Sequence, residues 1–427
     1  MQIESLPATK VSRLVQKTPF FYGWVVLAVG TLGIIMTSPG QTYAVSIFIE
    51  HFIADLGLSR SLVSTLYAVG TLSGSLALPL VGRQIDRRGS RVMVVIISLL
   101  FGLACIYMGL VRGAMTLALG FVAIRMLGQG SLGLVSQNVI NQWWQQRRGT
   151  MMGLSGVASS LLGLSAFPAL INWLIPLFGW RMSYALLGGF VLLVMAPLGL
   201  VFFRERPERY GLRPDGRFPV TSVNPATLPT RAETNWTLGE ALRTPVFWLV
   251  SGSMALLVLI GTGLFFHMVS LFKDNGLPAA MAATVYTPIA VATAVATLGS
   301  GFLADRLPLR WILAASLLLM ALALALAQRL SSSPLAIGYG VALGASMGLH
   351  RTVTAVVFAH YFGRAHLGSI SGAAAAILVV GAALGPIPFA LARDGLGSYH
   401  LALTLLAWLA LILAVASLLM RPPEKAF

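Results

Sequence analysis

The stretch GRQIDRRGSR, from Gly82 to Arg91, recurs 219 residues later as GFLADRLPLR, from Gly301 to Arg310. Both copies contain a leading glycine, an Asp-Arg pair and a final arginine. The same offset aligns DLGL (55–58) with DNGL (274–277) and GTMMG (149–153) with GSISG (368–372). One constant spacing across separate segments indicates a duplicated chain, whose halves carry the same elements in the same order.

The composition around these segments is that of a membrane protein. The 427 residues are 57% hydrophobic and 10% charged, whereas soluble domains average about 25% charged residues. About 20 apolar residues cross a bilayer as a helix. Runs of that length begin near Tyr22, Ser61, Val92, Met115, Thr150, Met182, Val246, Ala279, Trp311, Leu335, Ser369 and His400. We therefore predict an all-α polytopic membrane protein with twelve transmembrane helices in two pseudo-symmetric six-helix halves.

The polar stretches between the runs predict the domain boundaries. We expect a cytoplasmic N-terminal tail at 1–19, an N-terminal six-helix half at 20–203 and a cytoplasmic linker at 204–243. A C-terminal half at 244–420 and a cytoplasmic tail at 421–427 follow. Within the linker, Thr237 and Glu240 have the spacing of a capping box, which predicts a short surface helix.

Lysine and arginine are distributed unevenly between the loops. With the N-terminus inside, 21 of the 29 lie in cytoplasmic loops and tails and 6 in outer loops; the other two are Arg125 and Arg351. This asymmetry follows the positive-inside rule and predicts a multi-pass protein of the cell (inner) membrane with both termini cytoplasmic. The net charge of +16 then reflects topology, so we expect no nucleic acid partner. The N-terminal residues lack a signal-peptide core, so the first span is expected to stay uncleaved.

Signatures of catalysis are absent from the sequence. It has no HExxH, no GxSxG, no paired intramembrane aspartates and no Walker lysine loop. One cysteine and six scattered histidines give no metal-ligand spacing. We therefore predict no enzyme activity, no cofactor and no metal. Duplicated halves of this size are typical of secondary transporters, which bind a substrate near the midplane and alternate access.

The repeated loop predicts a gate between the halves. Asp86, at the inner end of span two, can cap a helix N-terminus or pair with an arginine, for which Arg87 and Arg91 are candidates. Gly82 would permit close helix approach. The equivalent residues of the second half are Asp305 and Arg306. The alternative is that these residues only anchor the topology.

GRQIDRRGSR resembles the loop signature of the major facilitator superfamily, and RMLGQG (125–130) is similar to its span-four signature. FYGWVVLAVG, WWQQRRGTMMGLSG, RPERYGLRPDG, LGEALRTPVFWLV and YFGRAHLGSISG resemble the branch of monocarboxylate porters and oxalate/formate antiporters. The resemblance covers essentially the whole chain. It implies the major facilitator fold, a gating role for the repeated loop and a monocarboxylate substrate. The chain departs from the branch in spans eight and eleven, which carry no charge here.

The stretch GASMGLHRTVTAVV (344–357) places His350 and Arg351 inside an apolar run. A mid-helix arginine costs about 2.5–3.5 kcal/mol on insertion scales, so it generally faces a cavity or a partner. All thirteen acidic residues fall in loops, tails or span ends, which leaves Arg351 without an intramembrane counter-ion. We therefore expect Arg351 to bind a substrate carboxylate. The alternative is a structural arginine bonded to backbone carbonyls.

Further polar residues are candidates for the same site. Pro39 predicts a bend in span one, at which Gln41 and Tyr43 could face a cavity; the alternative is an ordinary kink. In span four, Arg125 and Gln129 lie one turn apart. For Arg125 the alternative is a bond to neighbouring helices.

Proton coupling would need a titratable group near the site. Without a buried acid, histidine is the side chain whose ordinary pKa suits this role. His350 is the neighbour of Arg351, and His267 lies towards the outer end of span seven. The alternative for both is a hydrogen-bonded structural residue, which would leave an antiporter or a uniporter.

The sequence thus predicts a secondary active transporter that moves a small organic anion, in the first place a monocarboxylate, by alternating access. Its expected partners are that anion, the lipid bilayer and, if a histidine takes part, protons; a functional monomer is expected. Aliphatic lining would suit a small apolar tail. Two rival hypotheses are an exporter of amphipathic compounds and a transporter-like receptor that binds without flux.

Overall fold

The structure is a computed structural model that describes residues 12–216 and 235–424. The first eleven residues of the predicted N-terminal tail, residues 217–234 of the linker and the last three residues lie outside the described part. Within the described ranges the chain is helical and contains no strand. The all-α fold class is therefore confirmed.

Eleven helices of the described chain are long and apolar enough to cross a membrane. They supply α1 (Gly23–Leu56), α2 (Leu62–Arg88), α3 (Ser90–Met108), α4 (Ala114–Trp143), α5 and α6 (together Arg148–Phe202), α7 (Pro245–Asp274), α8 (Tyr286–Ala304), α9 (Leu309–Ala327), α10 (Ser333–Phe362), α11 (Leu367–Leu396) and α12 (His400–Leu419). Short helices at Arg13–Lys17, Leu238–Leu242 and Ala279–Thr284 lie between or before them.

The 55-residue helix Arg148–Phe202 contains two spans. As one straight rod it would be ~80 Å long, whereas the hydrocarbon core of a bilayer is about 30 Å thick. It breaks at Gly179, where φ is 73° and ψ is 161°. A residue with a side chain rarely adopts this conformation. We therefore assign residues 148–178 to α5 and 180–202 to α6, which gives the twelve predicted crossings.

An even number of crossings places Ser12 and Glu424, the ends of the described chain, on one side of the membrane. We name this the tail side, and the opposite side the far side. The tail side contains the α2–α3, α4–α5, α8–α9 and α10–α11 loops and the linker.

The capping box predicted in the linker is present: the Thr237 amide donates to the Glu240 carboxylate (2.7 Å), and the Glu240 amide donates to Thr237 Oγ1 (3.3 Å).

Four of the described spans contain a 3₁₀ or π-helical segment. α1 is interrupted after Ile35 by a 3₁₀ turn at Ser38–Gly40 and resumes at Thr42, so the bend predicted at Pro39 is present. α4 is π-helical over Arg125–Leu132, and the α5–α6 helix over Ser160–Ala166 and Val191–Met195. Single π-helical turns are often found at functional sites. Residues of the irregular segments in α4 and α5, and residues that flank the one in α1, line the cavity described below.

Candidate functional site

The halves meet on the tail side through two equivalent aspartates. Asp86, near the end of α2, accepts the backbone N–H groups of Gly368 (2.8 Å) and Ser369 (2.7 Å) at the start of α11. Asp305, just after α8, accepts those of Gly149 (2.7 Å) and Thr150 (2.9 Å) at the start of α5. A helix N-terminus offers unpaired N–H groups and a partial positive charge, so both carboxylates satisfy two donors of the opposite half.

Glycines allow this approach. A Cβ placed on Gly82 would lie 2.0 Å from the carbonyl oxygen of Gly368, and one on Gly149 would lie 2.5 Å from that of Gly301. Backbone therefore touches backbone at both crossings, α2 with α11 and α5 with α8. The two halves are joined on the tail side by these two contacts.

The arginines of the repeated loop take no part in the two aspartate contacts. Of the two alternatives for Asp86, the helix N-terminus is the partner in this conformation and an arginine is not. Arg91 donates through Nε to the carbonyl of Leu200 in its own half (2.7 Å). Arg87 and Arg306 are exposed, and neither is paired with an acidic residue in the described part of the chain. Their gating role stays a prediction.

The linker adds a second set of tail-side contacts that the sequence did not suggest. The carboxylate of Asp215 accepts the backbone N–H groups of residues 145–147, at 2.9 to 3.2 Å. The side-chain oxygen of Asn235 accepts those of residues 364–365, at 3.2 and 3.0 Å. The two loops are equivalent under the 219-residue offset. One linker residue on each side of the undescribed stretch therefore caps one of the paired loops.

Arg364 joins these parts. Its side chain is 8% exposed, and it donates to the backbone carbonyl of Gln142 (2.5 Å) and forms an ion pair with Glu208 (2.6 Å). The Gln142 side chain donates in return to the carbonyl of Arg364 (2.8 Å). Both halves and the linker are thereby connected at one buried guanidinium.

A central cavity with two lobes lies between the halves. The first lobe, of about 420 Å³, is lined from α1, α4, α5, α8 and α10; the second, of about 330 Å³, is lined from α1, α2, α4, α10 and α11. Both lobes are lined by Gln41, Gln137, Thr354 and Ala355, so they adjoin. None of the described residues that line either lobe is acidic. A larger cleft of about 940 Å³ lies at the tail-side ends of α5 and α10, away from the middle of the spans.

Arg351 and His350 both line the first lobe. Arg351 is exposed to the cavity, and its Nη1 donates to Ser160 Oγ of the other half (3.2 Å). Within the described chain it is in no ion pair. His350 Nδ1 is buried without a hydrogen-bond partner, and its Nε2 lies 3.5 Å from Thr354 Oγ1. The structure therefore brings an unneutralised guanidinium and an imidazole together at one wall of the cavity.

The predicted residues of the α1 break lie opposite. Tyr43 lines the first lobe, with its hydroxyl 2.8 Å from Ser38 Oγ. Gln41 lines both lobes and donates to Thr37 Oγ1 (2.9 Å). Its side-chain oxygen remains available to a ligand as an acceptor.

Arg125 and Gln129 line the second lobe. The guanidinium of Arg125 donates to Thr71 Oγ1 (2.8 Å) and to the carbonyl of Gly40 (2.9 Å), and it lies 4.8 Å from the Tyr67 ring centroid. These partners belong to the same half and include the broken turn of α1. Arg125 therefore holds α1, α2 and α4 together, which corresponds to the structural alternative.

The sequence profile of the Major Facilitator Superfamily matches residues 30–307 and 263–426. The chain belongs to the Major Facilitator Superfamily. This confirms the resemblance seen in the repeated loop and identifies a transporter family rather than an enzyme class.

Two superfamily relatives and one solved structure resemble the chain. Monocarboxylate transporter 11 of Mus musculus is 26% identical over 292 residues, which is 67% of this chain and 60% of that protein, so the chain spans about 60% of its length. MFS-type transporter pytF of Aspergillus terreus is 26% identical over 302 residues, 67% of this chain and 90% of that protein. The crystal structure of the human organic anion transporter MFSD10 (TETRAN) matches 93% of this chain and 100% of that chain with a TM-score of 0.66. Its 16% identity shows a shared fold.

Within this Major Facilitator fold, His267 does not lie with the other candidates. Its Nε2 lies 3.3 Å from the carbonyl of Pro386 and its Nδ1 lies 3.1 Å from the hydroxyl of Tyr399. Because a carbonyl only accepts, the proton belongs on Nε2, and Nδ1 accepts from the tyrosine. All three residues belong to the C-terminal half. His267 is placed among α7, α11 and α12, and it is not among the described residues that line the central cavity.

Three of the polar residues that line the cavity of this transporter fold were not among the predicted site residues: Ser160, Gln137 and Thr354. A signal for Gln137 was present, because it lies on the same i+4 ridge of α4 as Arg125 and Gln129. Ser160 and Thr354 gave no comparable signal, since isolated hydroxyls are common in membrane helices.

Proposed function

We propose that this protein is a secondary transporter of a small organic anion, with Arg351 as the anchor of the substrate's acid group. The observation that carries the proposal is the state of the guanidinium. It faces a cavity between the two halves, contacts a neutral serine, and meets no acid among the described residues that line the cavity. A planar guanidinium is a bidentate donor suited to a carboxylate.

The position of the cavity agrees with alternating access. Transporters built from repeated halves bind their substrate between those halves near the midplane. Arg351 lies 11 residues before Phe362 on α10, ~16 Å from the tail-side end of a 30-residue helix. An anion bound there would contact the C-terminal half through Arg351 and the N-terminal half through Ser160 and Tyr43. Opening of the tail-side contacts would then release it.

The names of two similar proteins support an acid as the cargo. The mouse relative is a monocarboxylate transporter, and the structural neighbour is an organic anion transporter. We infer monocarboxylates as the first class to test. The charge asymmetry of 21 to 6 supports a cell-membrane protein with the tail side in the cytoplasm.

The experiment is uptake into proteoliposomes of labelled carboxylates by the unmodified protein, Arg351→Gln and Arg351→Lys. Arg329→Gln, on the exposed α9–α10 loop, is the matched control. We expect one or more acids to accumulate, Arg351→Gln to abolish uptake, and Arg351→Lys to retain part of it because the charge remains while the planar fork is lost. Unchanged uptake by a folded Arg351→Gln protein would refute the anchor.

A pH gradient imposed on the same vesicles tests proton coupling. His350 is the only histidine among the described residues that line the cavity, and its Nδ1 has no partner, so we assign the proton to it. His350→Gln should retain uptake driven by the substrate gradient and lose its acceleration by the pH gradient. If His350→Gln still responds to the pH gradient, the proton is carried elsewhere.

A further inference from the structure

Carboxamide side chains line the second lobe of the cavity together with aliphatic residues, and we name it the amide lobe. Gln129 and Gln137 line it from α4, and Gln41 lines it from the break in α1. Gln129 and Gln137 are partly exposed and make no hydrogen bond to any described residue. Their hydrogen-bond donors and acceptors therefore face the cavity without a partner among the described residues.

A fourth carboxamide is buried at the same wall. Asn138 is 3% exposed, lines the amide lobe, and its Nδ2 lacks a hydrogen-bond partner within the described chain. Most buried polar side chains in proteins have a partner, so an unpaired amide in a cavity wall points to a ligand.

The chemistry of the amide lobe selects against an apolar tail. A bare alkyl chain would displace the water that solvates these amides and leave each one without a hydrogen-bond partner, which is unfavourable. A hydroxyl both donates and accepts, so it matches a carboxamide, which carries both functions. Leu78 and Leu378 in the same wall would contact the C–H surface of the tail.

The two lobes allow one ligand to use both. Gln41, Gln137 and Thr354 line each of them, so a tail can extend from the guanidinium into the amide lobe without crossing a helix. We propose that the substrate is a polyhydroxylated organic acid, with its carboxylate on Arg351 and its hydroxylated tail in the amide lobe. This inference rests on the proposed function, and it replaces the small apolar tail expected from the sequence.

Three six-carbon probes separate the two ideas: gluconate, hexanoate, and the uncharged polyol glucitol. Binding to the purified detergent-solubilised protein is measured by calorimetry. We expect gluconate to bind, and hexanoate and glucitol each to bind at least about a hundredfold more weakly. Equal binding of hexanoate and gluconate would overturn the inference and leave the anion transporter intact. Equal binding of glucitol, retained in Arg351→Gln, would overturn the anion anchor while the amide lobe stands.

Near-isosteric variants locate the tail. Gln137→Met and Gln129→Met keep side-chain length and remove the hydrogen-bonding groups. Each should weaken gluconate binding about tenfold. Gln145→Met, at an exposed tail-side position, is the control and should change nothing. Undiminished gluconate binding in both cavity variants, or no binding of any of the three probes by the unmodified protein, would refute the proposal.

Discussion

Asp86 and Asp305 make the same contact from opposite halves: each carboxylate accepts two backbone N–H groups at the first turn of a helix in the other half. The two residues are 219 positions apart, and so are the glycines and hydroxyl residues that they meet. Both copies of the repeated loop thus make the same interaction: the aspartate of each half caps the N-terminus of a helix in the other half.

Removing either charge should loosen the tail side. Hydrogen bonds to a charged group contribute about 1.5–3 kcal/mol, so Asp86→Asn or Asp305→Asn should shift the equilibrium towards tail-side opening by tenfold or more. A cysteine at Ala375, in the amide lobe, reports the opening through its rate of labelling by an impermeant maleimide applied from the tail side. The native Cys105 is fully buried and stays silent.

The control for this experiment is Asp394→Asn, an exposed carboxylate near the far-side end of α11. Its labelling rate should equal that of the parent. If Asp86→Asn and Asp305→Asn also match the parent, the caps do not hold the halves closed.

A side chain at Gly82 should separate α2 from α11. The added methyl group of Gly82→Ala would lie 2.0 Å from the Gly368 carbonyl oxygen, a distance that only backbone movement can relieve. We expect faster tail-side labelling and lower uptake. Gly252→Ala in α7 meets nothing within 4 Å and should preserve both, with a small gain in stability of about 0.5–1 kcal/mol. Equal behaviour of the two variants would contradict backbone contact at the α2–α11 crossing.

Each of the two linker residues should stabilise only the loop whose amides it accepts. Asp215→Ala removes the acceptor for the amides of residues 145–147, and Asn235→Ala removes that for 364–365. Hydrogen exchange of each loop should accelerate about tenfold in its own variant and not in the other. Asp215 has a φ of 62°, which asparagine tolerates, so Asp215→Asn should restore part of the protection. Unaltered exchange in both alanine variants would mean that the linker does not order these loops.

Loss of Arg125 should lower the thermal stability of the protein, whereas loss of Arg351 should abolish ligand binding. Arg125→Gln removes bonds to Thr71 and Gly40 within one half, so the melting temperature in detergent should fall by roughly 5 °C or more. Arg351→Gln breaks one bond to Ser160 and should leave the melting temperature nearly unchanged while ligand binding is lost. A stable Arg125→Gln protein with lost binding would assign Arg125 to the substrate instead.

The fold could be predicted from local patterns in the sequence. The repeat spacing predicted both halves, and the apolar runs predicted span positions to within a few residues for most helices. One exception is span eight, whose predicted start near Ala279 coincides with the short helix Ala279–Thr284, while α8 begins at Tyr286. The apolar composition continues through both helices, so it could not reveal the separation between them.

The site depended on contacts between distant parts of the chain, which spacing alone does not determine. Neighbouring residues on a helix point about 100° apart, so the sequence could not show which of His350 and Arg351 faces the cavity. Both line the first lobe. His267 was attractive as a titratable group, yet its partners Pro386 and Tyr399 are more than 100 residues away. Asp215 lies in the quoted RPERYGLRPDG stretch and Asn235 in no motif, and neither pattern indicates which loop the side-chain oxygen caps.

The bond from Arg351 to Ser160 has a consequence for how the cycle closes. Through this bond the guanidinium spans the gap between the halves, so an anion that binds Arg351 would substitute for an internal partner instead of creating the first bridge. Once the anion leaves, the Arg351–Ser160 bond would again link the halves as the carrier reorients. Such a carrier can reset without return cargo, and we expect net flux to proceed where strict one-for-one exchange would stall.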